Sequence, residues 1–275
     1  ALSLYQRSQG DYESPEGRQD DSAGRDRGFV VRALAPVGNV RLWAGFQLDQ
    51  VRDMGKPQAD LPTTRTSYPK EDSSRFTLGA DAADLLGFSS VEMRAFYGGY
   101  ELVTNRQRVP APGTTLRNSL ADVDADDYSV RLLGRRSLGP AGLRVGLDVN
   151  GRTGLEALNI VEDFDAAGNP TKTAVEVAVK DARRTDLGAF LEGDVPLVAD
   201  RLALTAGVRG DHVATRNTGG YFGDRSTSDG ALSGFATLSW TFARDWTLAA
   251  QYARGFRDPT LSDRYYRGVS GRGFV

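Results

Sequence analysis

Few residues of this chain have the types and spacing to do chemistry. There is one histidine, His212, and no cysteine in 275 residues, which removes disulfides, thiolate metal sites, iron–sulfur clusters and cysteine nucleophiles. A Ser–His–Asp hydrolase would need His212 as its base. Asp211, its neighbour on what reads as a β-strand, must point to the opposite side. No Gly-x-Ser-x-Gly turn occurs, and Gly268-Val-Ser-Gly271 does not fit that pattern. Haem ligation would also call on this imidazole, but His212 lies two residues beyond Gly210 and four beyond Val208, in phase with the apolar side of its strand. The alternating carboxylates of residues 122–127 look like a calcium loop, yet the sixth position is Asp127 rather than Gly and the twelfth is Leu133 rather than Glu. They read as an acidic, solvated loop. No catalytic residue, metal site or cofactor is expected. With 34 Lys and Arg against 36 Asp and Glu, the net charge of −2 gives no support for a nucleic-acid partner.

What the sequence offers instead is charge at alternate positions. Arg32, Arg41, Glu92, Arg94, Arg131, Arg144, Asp148, Glu192, Arg209 and Asp211 each sit on the polar side of a segment whose other side is apolar. Residues 143–149 show it most cleanly, with Leu143, Val145, Leu147 and Val149 against Arg144, Gly146 and Asp148. A period of two is the signature of a strand with one face in an apolar medium. The same split runs through residues 2–5, 29–35, 40–49, 75–81, 91–97, 130–133, 187–192, 202–209, 232–242 and 246–252, about eleven strands with no competing helical stretch.

The connections alternate in length. Short ones fall near 36–38, 81–87, 138–142, 196–201 and 243–245; long polar ones are expected at 9–27, 51–74, 101–127, 154–183 and 215–230, with every proline in a loop or at a strand end. Tight turns at one end and long loops at the other describe an all-β, antiparallel up-and-down transmembrane β-barrel. No apolar run approaches the ~18–20 residues of a helical span, whereas a barrel strand needs only about 9–11. Trp240, Phe242 and Trp246 beside a short turn suit an interfacial aromatic girdle, and the charged faces suit a wet lumen. A soluble all-β binding module and a passive channel or adhesin-like barrel are the alternatives to a receptor. Single-chain bacterial barrels have an even number of strands, and an open sheet in lipid leaves unsatisfied edges. The eleven strands are therefore expected to be a piece of a larger barrel.

The final segment carries Tyr252, Arg254, Gly255, Phe256, Arg257, Pro259, Leu261, Asp263 and Tyr265. It resembles the box of TonB-dependent outer-membrane receptors, in which a strand ending in Ala-Arg-Gly-Phe-Arg runs into Ala-Pro-x-Leu-x-Asp/Glu-Leu-Tyr. Asp258 stands for the usual Ala and Arg264 for the usual Leu; the motif covers about twenty residues. The resemblance implies a multi-pass barrel in the outer membrane of a Gram-negative bacterium. Residues 1–275 would be about half of a 22-stranded barrel, with the plug domain and the C-terminal strands outside this chain. It further implies a monomer in the lipid bilayer, uptake of a scarce ligand, most often a ferric siderophore, and energy supplied by the TonB complex through the plug. Arg41, Arg94, Arg131, Arg144, Asp148, Glu192 and Arg209 would then face the lumen and hold the plug or line the path. The aromatic and basic set Tyr221, Phe222, Arg225, Arg257, Tyr265, Tyr266 and Arg267, read as loop residues, is suited to stack on and charge-pair with an aromatic anion.

Overall fold

A computed structural model describes all residues except 16, 58–62, 112–113, 271–272 and 275. In chain order the elements are β1 (Leu2–Gln9), β2 (Glu13–Ser14), β3 (Gly17–Arg18), β4 (Gly24–Val37), β5 (Val40–Lys56), β6 (Thr64–Leu85), β7 (Phe88–Arg108), β8 (Arg117–Leu138), β9 (Ala141–Phe164), β10 (Pro170–Val198), β11 (Leu202–Gly220), β12 (Asp224–Ala243), β13 (Trp246–Arg254), α1 (Leu261–Tyr265), β14 (Val269–Ser270) and β15 (Gly273–Phe274). β1 and β4 to β13 form one eleven-stranded antiparallel sheet in which each strand pairs with the next; β2–β3 and β14–β15 are separate two-stranded sheets.

Register carries the sequence alternation across the whole sheet. Leu78, Ala95, Val130, Val149 and Leu187 fall in one row of paired residues, and Leu132, Leu147, Leu191 and Leu232 on the same, outward face are exposed. A contiguous apolar face of this extent suits lipid rather than water. The opposite, inner face has Trp43, Gly79, Arg94, Arg131, Asp148, Gly188 and Asp211 in one row.

Glycines on the inner face let large side chains lie flat across the neighbouring strand. A Cβ on Gly79 would come within 2.0 Å of the Trp43 indole, and one on Gly146 within 2.3 Å of the Phe190 ring. Gly79→Val should therefore push Trp43 off the wall and cost about 1–3 kcal/mol, as overpacking does. The Trp43 fluorescence of the folded protein should shift in the same variant; an unchanged spectrum and melting curve would show that the wall yields instead.

The long polar stretches are mostly strand, not loop. β10 alone has 29 residues, about 95 Å at about 3.3 Å per residue, far more than the roughly 9–11 residues needed to cross a bilayer. Beyond the lipid-facing band neither face of a strand is wholly apolar, so regular alternation fades from the sequence while the ladder continues. Cross-strand pairs such as Arg117–Asp163 (2.6 Å) and Arg152–Asp127 (2.7 Å) tie these extensions together. Two expectations are corrected by this. Residues 122–127 lie inside β8, so Asp122, Asp124 and Asp126 point to one face and Asp127 to the other, and no group of three metal-ligating side chains forms among the described residues. Pro69 lies within β6, at an irregularity in the register between Ser67 and Lys70, where its missing N–H leaves no gap in the ladder.

Candidate functional site

The inner face is a network of paired charges. Asp148, 4% exposed, receives Arg131 Nε at 2.5 Å on one oxygen and Arg209 on the other. Arg209 also donates to Asp211 at 2.8 Å and lies 6.0 Å from the Phe190 ring centroid. Arg94 donates to Asp81 at 2.5 Å and sits 5.4 Å from the Trp43 ring; Arg144 donates to Glu192 at 2.8 Å, and Arg135 pairs with Glu92. Arg41 lies directly opposite Asp81, and Arg32 opposite Gly45. The register thus puts the charges expected to face the lumen on one side of the sheet. His212 points the other way: it is exposed, opposite Leu187, with Ser228 Oγ 3.3 Å from its Nε2.

Above this network the chain turns back onto its own wall. β13 ends at Arg254, with Tyr252 exposed on the outward face, and residues 255–260 lead into α1. Thr260 caps the helix, accepting from the Asp263 N–H at 3.1 Å, and the Asp263 carboxylate accepts from the Thr260 N–H at 2.8 Å. The Thr260 bonds hold the Asp263 carboxyl below the usual carboxylate range. The reciprocal cap is therefore complete at neutral pH and weakens as the pH falls through that lowered value. Leu261 and Tyr265 are buried against Ala125, Leu155, Ala157, Ala178, Val179 and Ala182. The Tyr265 hydroxyl lies 3.0 Å from Thr215 Oγ1, and Asn159 Nδ2 donates to the Arg267 carbonyl at 2.8 Å. Burial pushes the Tyr266 phenol up to about 12, so it stays neutral.

An ion-pair chain fastens the segment. Arg184 holds Asp186 with two bonds, at 2.7 and 2.9 Å, and uses Nη1 for Asp258 at 3.0 Å and the Pro259 carbonyl at 2.6 Å. Asp258, its side chain 2% exposed, pairs on its other oxygen with Arg264 at 2.7 Å, and Arg264 reaches Asp229 at 3.0 Å. The two departures from the motif, Asp258 and Arg264, are thus partners. Beneath the segment lies a cavity of about 800 Å³ lined by Arg131, Arg209, Phe190, Phe235, Phe256 and Arg257, among others.

The aromatic and basic set divides in two. Tyr221 and Phe222 occupy the tight turn between β11 and β12, their rings edge to face at 5.0 Å, with the Arg267 guanidinium 4.2 Å from the Tyr221 centroid. Arg225 Nε donates to the Phe222 carbonyl at 2.8 Å. Arg257 stays exposed, 3.6 Å from Asp263. Tyr265 is not on an open loop: it is buried under α1, where its ring fills the apolar wall. Sequence reasoning missed Asn159, Thr215 and Asp229, which sat in stretches read as loop, and Arg184 and Asp186, which lie between the loop expected at 154–183 and the strand at 187–192. The one available signal was the opposite charge of the two motif departures.

The sequence model described as TonB dependent receptor-like, beta-barrel, matches residues 3–275. The chain belongs to this receptor-barrel family. Solved structures agree on the fold. The copper transporter OprC is 17% identical with a TM-score of 0.73, over 94% of this chain and 41% of that one. The FrpB iron transporter from Neisseria meningitidis is 14% identical with a TM-score of 0.67, over 95% and 43%. The Serratia marcescens hemophore receptor HasR, solved with its hemophore HasA and heme, is 13% identical with a TM-score of 0.66, over 99% and 43%. This TonB-dependent receptor barrel therefore spans less than half the length of these solved relatives, which are described as transporters and receptors. Among curated protein sequences, nothing matches the chain.

Proposed function

We propose that residues 1–275 are part of a 22-stranded receptor barrel whose plug domain and C-terminal strands lie outside this chain. The receptor captures a scarce ligand at the long-strand end and passes it inward with energy supplied by the TonB complex through the plug. The ligand class we infer is a ferric siderophore. The observation that carries this reading is the cluster of Tyr221, Phe222 and Arg267 at the β11–β12 turn, with Arg257 exposed nearby on the same closing segment. Aromatic faces and guanidinium groups together favour a large anionic chelate over a bare ion. The ion-paired inner face supports a wall that holds a plug, since its charges are largely matched before anything binds.

The test uses the full-length protein in iron-starved cells supplied with radiolabelled ferric siderophores. Uptake should stop when TonB is deleted, and Tyr221→Ala with Arg267→Ala should lower binding on the order of tenfold, at ~0.5–2 kcal/mol per stacking contact. Uptake that persists without TonB would mean a passive channel. Selective binding of haem or copper with no response to any siderophore would remove the ligand class and leave the receptor.

A further inference from the structure

The outward face of β1, β4 and β5 carries a second cavity, of about 380 Å³, whose lining, apart from Tyr5 and Gly28 of the intervening row, comes from that face. Its floor is Leu4, Phe29 and Leu48, directly opposite one another across the three strands. Two residues further along, the same face continues into Val31 and Phe46 of the lipid-facing band, with Phe29 and Phe46 in ring contact at 5.7 Å. Its rim is the next row the other way, Gln6, Arg27 and Gln50. The cavity thus straddles the polar end of the band, with hydrocarbon below and a cation between two amides above.

Charge around the rim is unevenly matched. One row higher, Arg25, Arg52 and Lys70 stand directly opposite one another on the same face, an alignment of like charges that destabilises a sheet unless it is compensated. Each has its own carboxylate: Arg25 pairs with Asp53, Arg52 with Asp72 and Lys70 with Glu101. Arg27 is exposed and donates through Nε to Gln50 Oε1 at 3.0 Å. It has no carboxylate within salt-bridge distance among the described residues, so of these four cations it is the one that keeps its terminal guanidinium nitrogens clear of a carboxylate, and it sits on the cavity rim.

We propose that this cavity seats a membrane lipid with a phosphate headgroup. Its acyl chain lies on Leu4, Phe29 and Leu48, and its phosphate takes the free guanidinium nitrogens of Arg27 and the amide N–H groups of Gln6 and Gln50. A guanidinium and a phosphate form short, charge-assisted bonds, and the boundary of the lipid-facing band is where such headgroups lie. The site rests on the chain being embedded in a bilayer and is independent of which ligand the receptor takes up.

The test is native mass spectrometry of the full-length protein released from detergent micelles. The probes are phosphatidylglycerol, phosphatidylcholine with the same acyl chains, and inorganic phosphate. The protein should retain phosphatidylglycerol over phosphatidylcholine on the order of tenfold, the size expected of a hydrogen bond to a charged group. Arg27→Gln should bring the two lipids level. Arg32→Gln, on the inner face of the same strand, should leave the preference intact. Equal retention by the parent, or an unaltered preference in Arg27→Gln, would overturn the site. So would inorganic phosphate binding as tightly as the lipid, which would reduce it to an anion site without a lipid.

Discussion

Replacing Asp148 with alanine should destabilise the barrel by about 1.5–3 kcal/mol, the range for losing hydrogen bonds between charged groups. The carboxylate is 4% exposed and holds Arg131 on one oxygen and Arg209 on the other. Removing it leaves two guanidinium groups of like charge, one reaching in from β8 and the other from β11 across β10, facing a void, and among the described residues Arg209 then leans on Asp211 and the Phe190 ring. Arg131 and Arg209 remain partly open to solvent, so the loss is mainly that of the two charge-assisted bonds rather than of stranding a buried cation. Thermal unfolding of the full-length protein, followed by the gel mobility of the folded barrel, should show a fall of several degrees. Asp245→Asn, in the exposed turn between β12 and β13, should stay within about 0.5 kcal/mol of the parent. If Asp148→Ala melts with the parent, the network is a set of independent surface pairs, each worth at most about 1 kcal/mol.

The second large effect is expected at Tyr265. Its ring is 2% exposed in the apolar wall and its hydroxyl meets Thr215. Tyr265→Ala should cost about 3–5 kcal/mol of docking energy, in the range of other buried aromatic truncations. A five-residue helix cannot hold itself together without tertiary contacts, so α1 should leave the wall although Arg184 and Arg264 still reach Asp258. Because the chain has no cysteine, a single nitroxide on Ser262→Cys, an exposed position, reports this directly. The spectrum should be immobile in the parent and mobile in Tyr265→Ala. Tyr265→Phe should stay immobile, since it loses only one hydrogen bond, worth about 0.5–1.5 kcal/mol. An immobile label in Tyr265→Ala would mean that the ion-pair chain alone holds the segment.

The two effects differ in what the sequence shows of them. Asp148 and Arg131 were legible as polar-face residues because a period of two is a local property: each residue's side follows from its neighbours and needs no knowledge of the fold. The same logic gave the eleven strands, the tight turns and the outward placement of His212. It failed where the physical signal stops. Past the lipid-facing band no apolar medium covers one whole face of β5 to β12, so residues such as Asp124 and Asn159 look like loop although hydrogen bonding continues the ladder.

The sequence by itself determined the architecture of this protein, because an apolar medium on one face forces alternation on every strand that crosses it. Only the tertiary structure decided which charges meet. Arg184 and Asp258 are 74 residues apart, Thr215 and Tyr265 are 50 apart, and no local pattern encodes such pairings. They follow from strand register and from the point at which the closing segment folds back, and both are set by the sum of many weak cross-strand contacts rather than by any one residue.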